Sequence, residues 1–186
     1  MPETRSDAEL VAAANAGDGQ ALGALYLRYR DWATSLAYRF TGDREAALDV
    51  MQESFVYLFS KFSEPGGFRL RARLTTFLYP AIKNNCLAAR RKKRPEGVDS
   101  PEELASLAPE ESRGGSPVPR EALAAAVARL PDSQREVLLM RIVDEMSVTE
   151  IALALGIPEG TVKSRMHHAV EAMREDERLR SHWKGE

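Results

Sequence analysis

The sequence has one cysteine, Cys86, among 186 residues. A lone cysteine excludes an internal disulfide and a cysteine-rich metal site. Histidine is almost as scarce, at His167, His168 and His182. The adjacent pair splays around a helix and cannot form the i, i+4 pair of a metal-binding helix. No phosphate-cradling glycine loop, nucleophile elbow or metal-ligand cluster stands in the chain, so no cofactor or metal is expected and an enzyme is disfavoured. There is no run of about 18 apolar residues, which excludes a helical membrane span. No basic segment followed by an apolar stretch opens the chain, so a secretory leader is not expected. Together these absences describe a cytoplasmic protein. Hydrophobic residues make up 44% and charged residues 29%, enough for a core and a well-solvated surface.

One further absence is local. Between Pro65 and Pro95 there is no Asp or Glu, although the chain as a whole carries 28 acids against 26 bases. The same stretch holds nine Lys or Arg, with Phe68, Phe77 and Tyr79 interleaved. Cations neutralise phosphates and aromatic faces stack on unpaired bases, so the combination points to opened or single-stranded nucleic acid. The competing reading is a solvated basic helix end with Phe77 and Tyr79 in the core.

Periodicity makes the chain all-α. Asp7 is a candidate N-cap for a short first helix with Leu10, Val11 and Ala14 on one face. Gly17-Asp18-Gly19 breaks it. Leu22, Leu25, Tyr26, Tyr29, Trp32, Ala33, Leu36 and Phe40 then recur every three or four residues, the stripe of an amphipathic helix. Gly42 closes that helix and Asp43 caps a third over about 44–62. Ala47, Val50, Met51, Phe55, Leu58, Phe59 and Phe62 form its buried stripe, with Asp49, Gln52 and Glu53 on a polar face. A loop at Ser63–Gly67 precedes a basic helix from about Arg73, with Leu74, Phe77, Leu78, Ile82 and Cys86 inward. Pro80 lies inside this pattern and removes a backbone donor, which should kink the helix.

Composition changes at Pro95. The segment 96–119 has six acids, one Arg, four Pro and a Gly pair, and reads as a flexible acidic linker. Beyond it a second helical domain is expected over 120–176, followed by a short tail, 177–186, and no added regulatory domain is expected. Leu123, Ala126, Val127 and Leu130 line its first helix, and Val137, Leu138 and Ile142 its second. Ser147 and Glu150 have the spacing of a capping box. Gly156 turns the chain. A fourth helix from about Thr161 to Arg174 places Val162, Met166, Ala169, Val170 and Met173 inward, and Lys163, Ser164, Arg165 and His168 outward. This is a helix-turn-helix, which lays its second helix in the DNA major groove. The expected fold is therefore two small helical domains joined by a flexible acidic linker, the second a four-helix helix-turn-helix domain.

With both halves read, the chain resembles bacterial RNA polymerase sigma factors of the extracytoplasmic-function (ECF) group over nearly its full length. Asp49-Val50-Met51-Gln52-Glu53-Ser54-Phe55 is similar to the family's clamp-docking signature. Thr76-Phe77-Leu78-Tyr79 with Ile82-Lys83-Asn84 is similar to the helix that opens the minus-ten element. Leu130-Pro131 and Gln134–Leu139 resemble the start of the family's second domain, and Gly156–Arg165 its recognition helix. The family usually has Trp at the position of Phe77, a basic residue at Pro80, and often Arg at His168 and Val170.

The resemblance implies that Asp49, Gln52 and Glu53 bind core RNA polymerase. It implies that Phe68, Arg69, Arg71, Arg73, Thr76, Lys83 and Asn84 meet the minus-ten element, within domain 1–95. It gives the minus-thirty-five element to Thr161, Lys163, Ser164, Arg165 and His168. It also implies a protein that is a monomer when free, does not insert into membranes, has promoter DNA as its target and is controlled by an anti-sigma factor. The alternative is a dimeric helix-turn-helix regulator with the first domain as sensor, an account that leaves the basic stretch without a role.

Overall fold

A computed structural model describes residues 3–93, 120–176 and 179. Among them are eight helices and no strands: α1 (Asp7–Asn15), α2 (Gly19–Thr41), α3 (Arg44–Phe62), α4 (Leu74–Lys93), α5 (Arg120–Arg129), α6 (Asp132–Ile142), α7 (Val148–Leu155) and α8 (Glu159–Glu175). The chain divides into two compact units, residues 1–100 and 101–186. The acidic segment 96–119 and nearly all of the tail 177–186 lie outside the described residues.

In the first unit α2, α3 and α4 pack pairwise around one core, and α1 lies against α2. Leu25, Leu36, Phe55, Leu58, Leu74, Leu78 and Ile82 are fully buried there. Each such side chain contributes about 1.5–3 kcal/mol by leaving water. The expected cap of α1 needs correction. Ser6, not Asp7, is the N-cap, and it forms a reciprocal capping box with Glu9. Asp7 instead accepts from the Tyr29 hydroxyl and pairs with Arg28, tying α1 to α2. Asp18 and Asp43 cap α2 and α3, and Gly42 ends α2 in the left-handed region.

Pro80 does not interrupt α4, which runs through it from Leu74 to Lys93. The missing N–H falls seven residues into the helix, and packing of Leu78, Tyr79 and Ile82 on both sides holds the turn together. Cys86 is also core: its thiol lies 3.8 Å from the Ala37 carbonyl. Burial pushes its pKa up to about 12.

In the second unit α6, α7 and α8 pack on one another. Arg135 joins α5 to them. Its guanidinium is buried and donates to the carbonyls of Val127, Ala128 and Leu130 at 3.1, 2.6 and 2.7 Å. All three lie at the end of α5, which Pro131 prevents from continuing, and of them the Val127 carbonyl also accepts the Leu130 N–H. Three expected core positions are not buried. Ile142, at the end of α6, is 68% exposed, and Leu123 and Val170 are exposed to a lesser degree, at 41% and 37%. Leu179, beyond the expected end of the domain at Asp176, is fully buried against Ala126.

Candidate polymerase and nucleic-acid interfaces

α3 presents two faces. Val50, Met51, Ser54, Phe55 and Leu58 point into the core. The Ser54 hydroxyl donates to the Val50 carbonyl and accepts from the Asn85 amide at 3.1 Å, which registers α3 against α4. On the opposite face Asp49, Gln52 and Glu53 are all exposed. Val56, one turn further on, is 68% exposed on the same side. Sequence reasoning took the polar trio alone. Val56 falls outside the buried stripe, and that was the available signal.

The loop between α3 and α4 begins with a turn in which the Gly67 N–H donates to the Glu64 carbonyl at 2.9 Å. Gly66 and Gly67 both adopt positive φ, +91° and +66°. Arg69, Arg71 and Arg73 follow, all exposed. On α4, Asn84 is exposed and Lys83 half-buried. No acid stands between Glu64 and these side chains along the chain.

Two of the expected minus-ten contacts are placed inside. Phe68 is only 7% exposed, its ring 5.2 Å from Phe62 and 4.8 Å from Phe77. Burial of that apolar ring under the loop outweighs leaving it open, so its faces do not meet solvent in this conformation. Thr76 is buried with its hydroxyl sealed from solvent on α4, as is that of Thr75. The aromatic that does reach the surface is Tyr57, 45% exposed and stacked parallel to Phe77 at 5.9 Å. The Lys61 ammonium lies 4.8 Å from the Tyr57 ring centre. Tyr57 was invisible to sequence reasoning because it comes from α3, and only the fold brings it to the basic stretch. Tyr79 is core, 6.3 Å from Phe40.

In the second unit the capping box of α7 is present: Glu150 accepts from the Ser147 N–H at 2.8 Å, and Ser147 accepts from the Glu150 N–H at 3.2 Å. Gly156 ends α7 in the left-handed region, and the Ile157 N–H returns to the Ala152 carbonyl at 3.1 Å. α8 starts earlier than expected, at Glu159, because Glu159 is held: its carboxylate accepts from the Thr149 hydroxyl at 2.7 Å and lies 3.9 Å from Lys163. That bond fixes the two helices of the motif to each other. Val162 and Ala169 are fully buried. Lys163, Ser164 and His168 are exposed, and Thr161 and Arg165 half-buried. The Ser164 hydroxyl donates to the Thr161 carbonyl, leaving its lone pairs as acceptors. Lys163, Ser164 and His168 are thus on the open side of α8, Thr161 and Arg165 border its packed side, and Thr161 stands in the first turn, where the helix dipole favours phosphate. Among the described residues no group of His, Cys, Asp and Glu could hold a metal ion, and no helix is long and apolar enough to cross a membrane.

The chain is similar to known proteins over both of its units. Residues 25–96 match the family Sigma-70 region 2, and residues 120–173 match Sigma-70, region 4. The region 2 match falls on the basic stretch that a dimeric regulator would leave unexplained. The ECF RNA polymerase sigma factor SigW of Bacillus subtilis is 30% identical over 171 residues, covering 85% of this chain and 89% of that one. SigM of Mycobacterium tuberculosis, also an ECF RNA polymerase sigma factor, is 31% identical over 165 residues, covering 89% and 81%. In fold, the chain is similar to CnrH, solved with the cytosolic domain of CnrY, at a TM-score of 0.61 and 22% identity over 90% of this chain and 94% of that one. It is similar also to the Bartonella quintana sigma factor RpoE, solved with the anti-sigma factor NepR, at 0.59 and 21% over 81% and 92%. By the two regions it contains, in their order, and by these relatives, the chain belongs to the ECF RNA polymerase sigma factors.

Proposed function

We propose that this sigma factor divides promoter recognition among three surfaces and itself makes and breaks no covalent bond. The exposed face of α3, Asp49, Gln52 and Glu53 with Val56 beside them, docks on core polymerase. The loop from Gly66 to Arg73 and the outer side of α4 receive the opened minus-ten strand, with Arg69, Arg71, Arg73 and Lys83 on phosphates and Asn84 on a base edge. Thr161, Lys163, Ser164, Arg165 and His168 on α8 face the minus-thirty-five element.

The observation that carries this reading is the acid-free loop: three exposed arginines lead directly into α4 in a protein whose net charge is −2. Attraction to DNA is therefore local. Each surface alone binds weakly, and polymerase, by fixing their spacing, turns two weak contacts into one strong one. An anti-sigma factor is the partner that would withhold the protein from polymerase, a role supported by the RpoE–NepR complex. The limits that fit this division are 1–95 and 120 to at least Leu179, with 96–119 as the connection.

Core polymerase mixed with the purified protein should initiate at discrete promoters. Replacing Asp49, Gln52 and Glu53 together by Ala should abolish that and weaken capture of core enzyme, without loss of helix content. Undiminished capture would refute the docking assignment.

A further inference from the structure

The loop between α3 and α4 is held from a distance. Asn15, the last residue of α1, donates from Nδ2 to the Phe68 carbonyl at 2.8 Å and accepts the Phe68 N–H on Oδ1 at 2.9 Å. One side-chain amide thus satisfies both backbone groups of one residue, as a neighbouring strand would in a sheet ladder. The partners are 53 positions apart in sequence.

The fit is specific at Gly67. That residue has φ +66°, and a Cβ there would lie 2.4 Å from Asn15 Oδ1. The missing side chain at position 67 is what admits the Asn15 amide. Gly66 also has positive φ, +91°, but a Cβ there would meet open space. Phe68 is pinned a second time through its ring, wedged between Phe62 and Phe77. Arg69, Arg71 and Arg73 leave this anchored point for solvent, immediately ahead of α4.

We infer that Asn15 is a positioning residue for minus-ten recognition: α1 sets the backbone of the loop that receives the opened strand, without touching DNA itself. This rests on the reading of that loop given above. An anchored loop meets the strand already ordered. A released one must be ordered by the DNA, and affinity falls.

The test uses holoenzyme assembled from full-length protein and core polymerase, with a fluorescent single-stranded minus-ten oligonucleotide as probe. Asn15→Ala should weaken oligonucleotide binding about tenfold, the weight of one or two hydrogen bonds, with polymerase affinity nearly unchanged and the melting temperature lowered by about 5–10 °C while the helices stay folded at assay temperature. Gly67→Ala should do at least as much, because its Cβ evicts the same amide. The double substitution should be no worse than Gly67→Ala alone. Gly66→Ala, strained in φ but free of the clash, should have the smaller effect. In free protein, Asn15→Ala should speed hydrogen exchange at the Phe68 amide. Asn84→Ala and Arg69→Ala serve as references for the loop itself. If those two weaken the probe and Asn15→Ala does not, the clamp is wrong. Fully additive losses in the double variant would also overturn it. If Asn84→Ala and Arg69→Ala both bind the probe normally, the minus-ten reading of the loop has failed instead.

Discussion

Arg135 is the residue whose loss should cost the second unit most. Its guanidinium closes the end of α5 by donating to three carbonyls, at Val127, Ala128 and Leu130. The Val127 carbonyl also accepts the Leu130 N–H and keeps a partner when Arg135 is removed. The other two lose the guanidinium bond. The buried Leu130 carbonyl left unsatisfied costs about 1–3 kcal/mol and the part-buried Ala128 bond about 1 kcal/mol more, so Arg135→Ala should destabilise the unit by about 2–4 kcal/mol. A domain of this size holds only a few kcal/mol in total, and each kcal/mol shifts Tm by about 4–8 °C, so a drop of roughly 10 °C or more is expected. Arg135→Lys keeps the charge but lacks the planar fork, and should recover only part of the loss. Hydrogen-exchange mass spectrometry on the full chain should show protection lost across 120–176 and retained across 3–93. Equal exchange and an equal melting curve for Arg135→Ala would refute the capping role.

Arg165→Ala should relax sequence preference at the minus-thirty-five element, since a bidentate base contact is worth about 1–3 kcal/mol of discrimination; Lys163→Ala should weaken all sequences alike and lower the salt slope. Selection from randomised promoters that returned an unchanged upstream motif for Arg165→Ala would contradict this. Cys86 is buried, with its pKa pushed up to about 12, so its folded-state pKa lies above the unfolded one. Its contribution to stability is complete below the ordinary thiol value and declines as pH rises from there toward 12. At pH 8 a maleimide should therefore label the native protein at least a hundredfold more slowly than the unfolded chain, and Cys86→Ala should lessen the loss of stability between pH 9 and 11.

Much of this molecule was legible because its signals are local. Apolar spacing placed the helices, and the capping box at Ser147 and Glu150 marked α7. The errors have local causes too. Ser6 and Asp7 are both good caps, and only the pairing of Asp7 with Tyr29 and Arg28 on another helix decides between them. Ile142 fits an apolar period but points outward from the last turn of α6, where Met140 before it and Met146 after it take the core positions. Phe68 shows the limit for the candidate site. An aromatic among arginines reads equally as a base platform or a core wedge, and Phe62 and Phe77 settle its present position. Asn15 carried no signal at all. A polar residue at a helix end is ordinary until the fold brings position 67 beside it.

The fit between Gly67 and Asn15 also limits how the protein can be recombined. Segments that touch DNA are natural units to transplant when a new promoter preference is wanted. Here residues 63–73 are not self-contained. A donor loop with a side chain at position 67 would collide with Asn15, whose Oδ1 would lie 2.4 Å from the incoming Cβ. A donor loop with glycine there, placed in a host without the amide at position 15, would lose its anchor. If the loop reads the minus-ten strand as proposed, promoter preference in such chimaeras should travel only when the two distant positions are exchanged together.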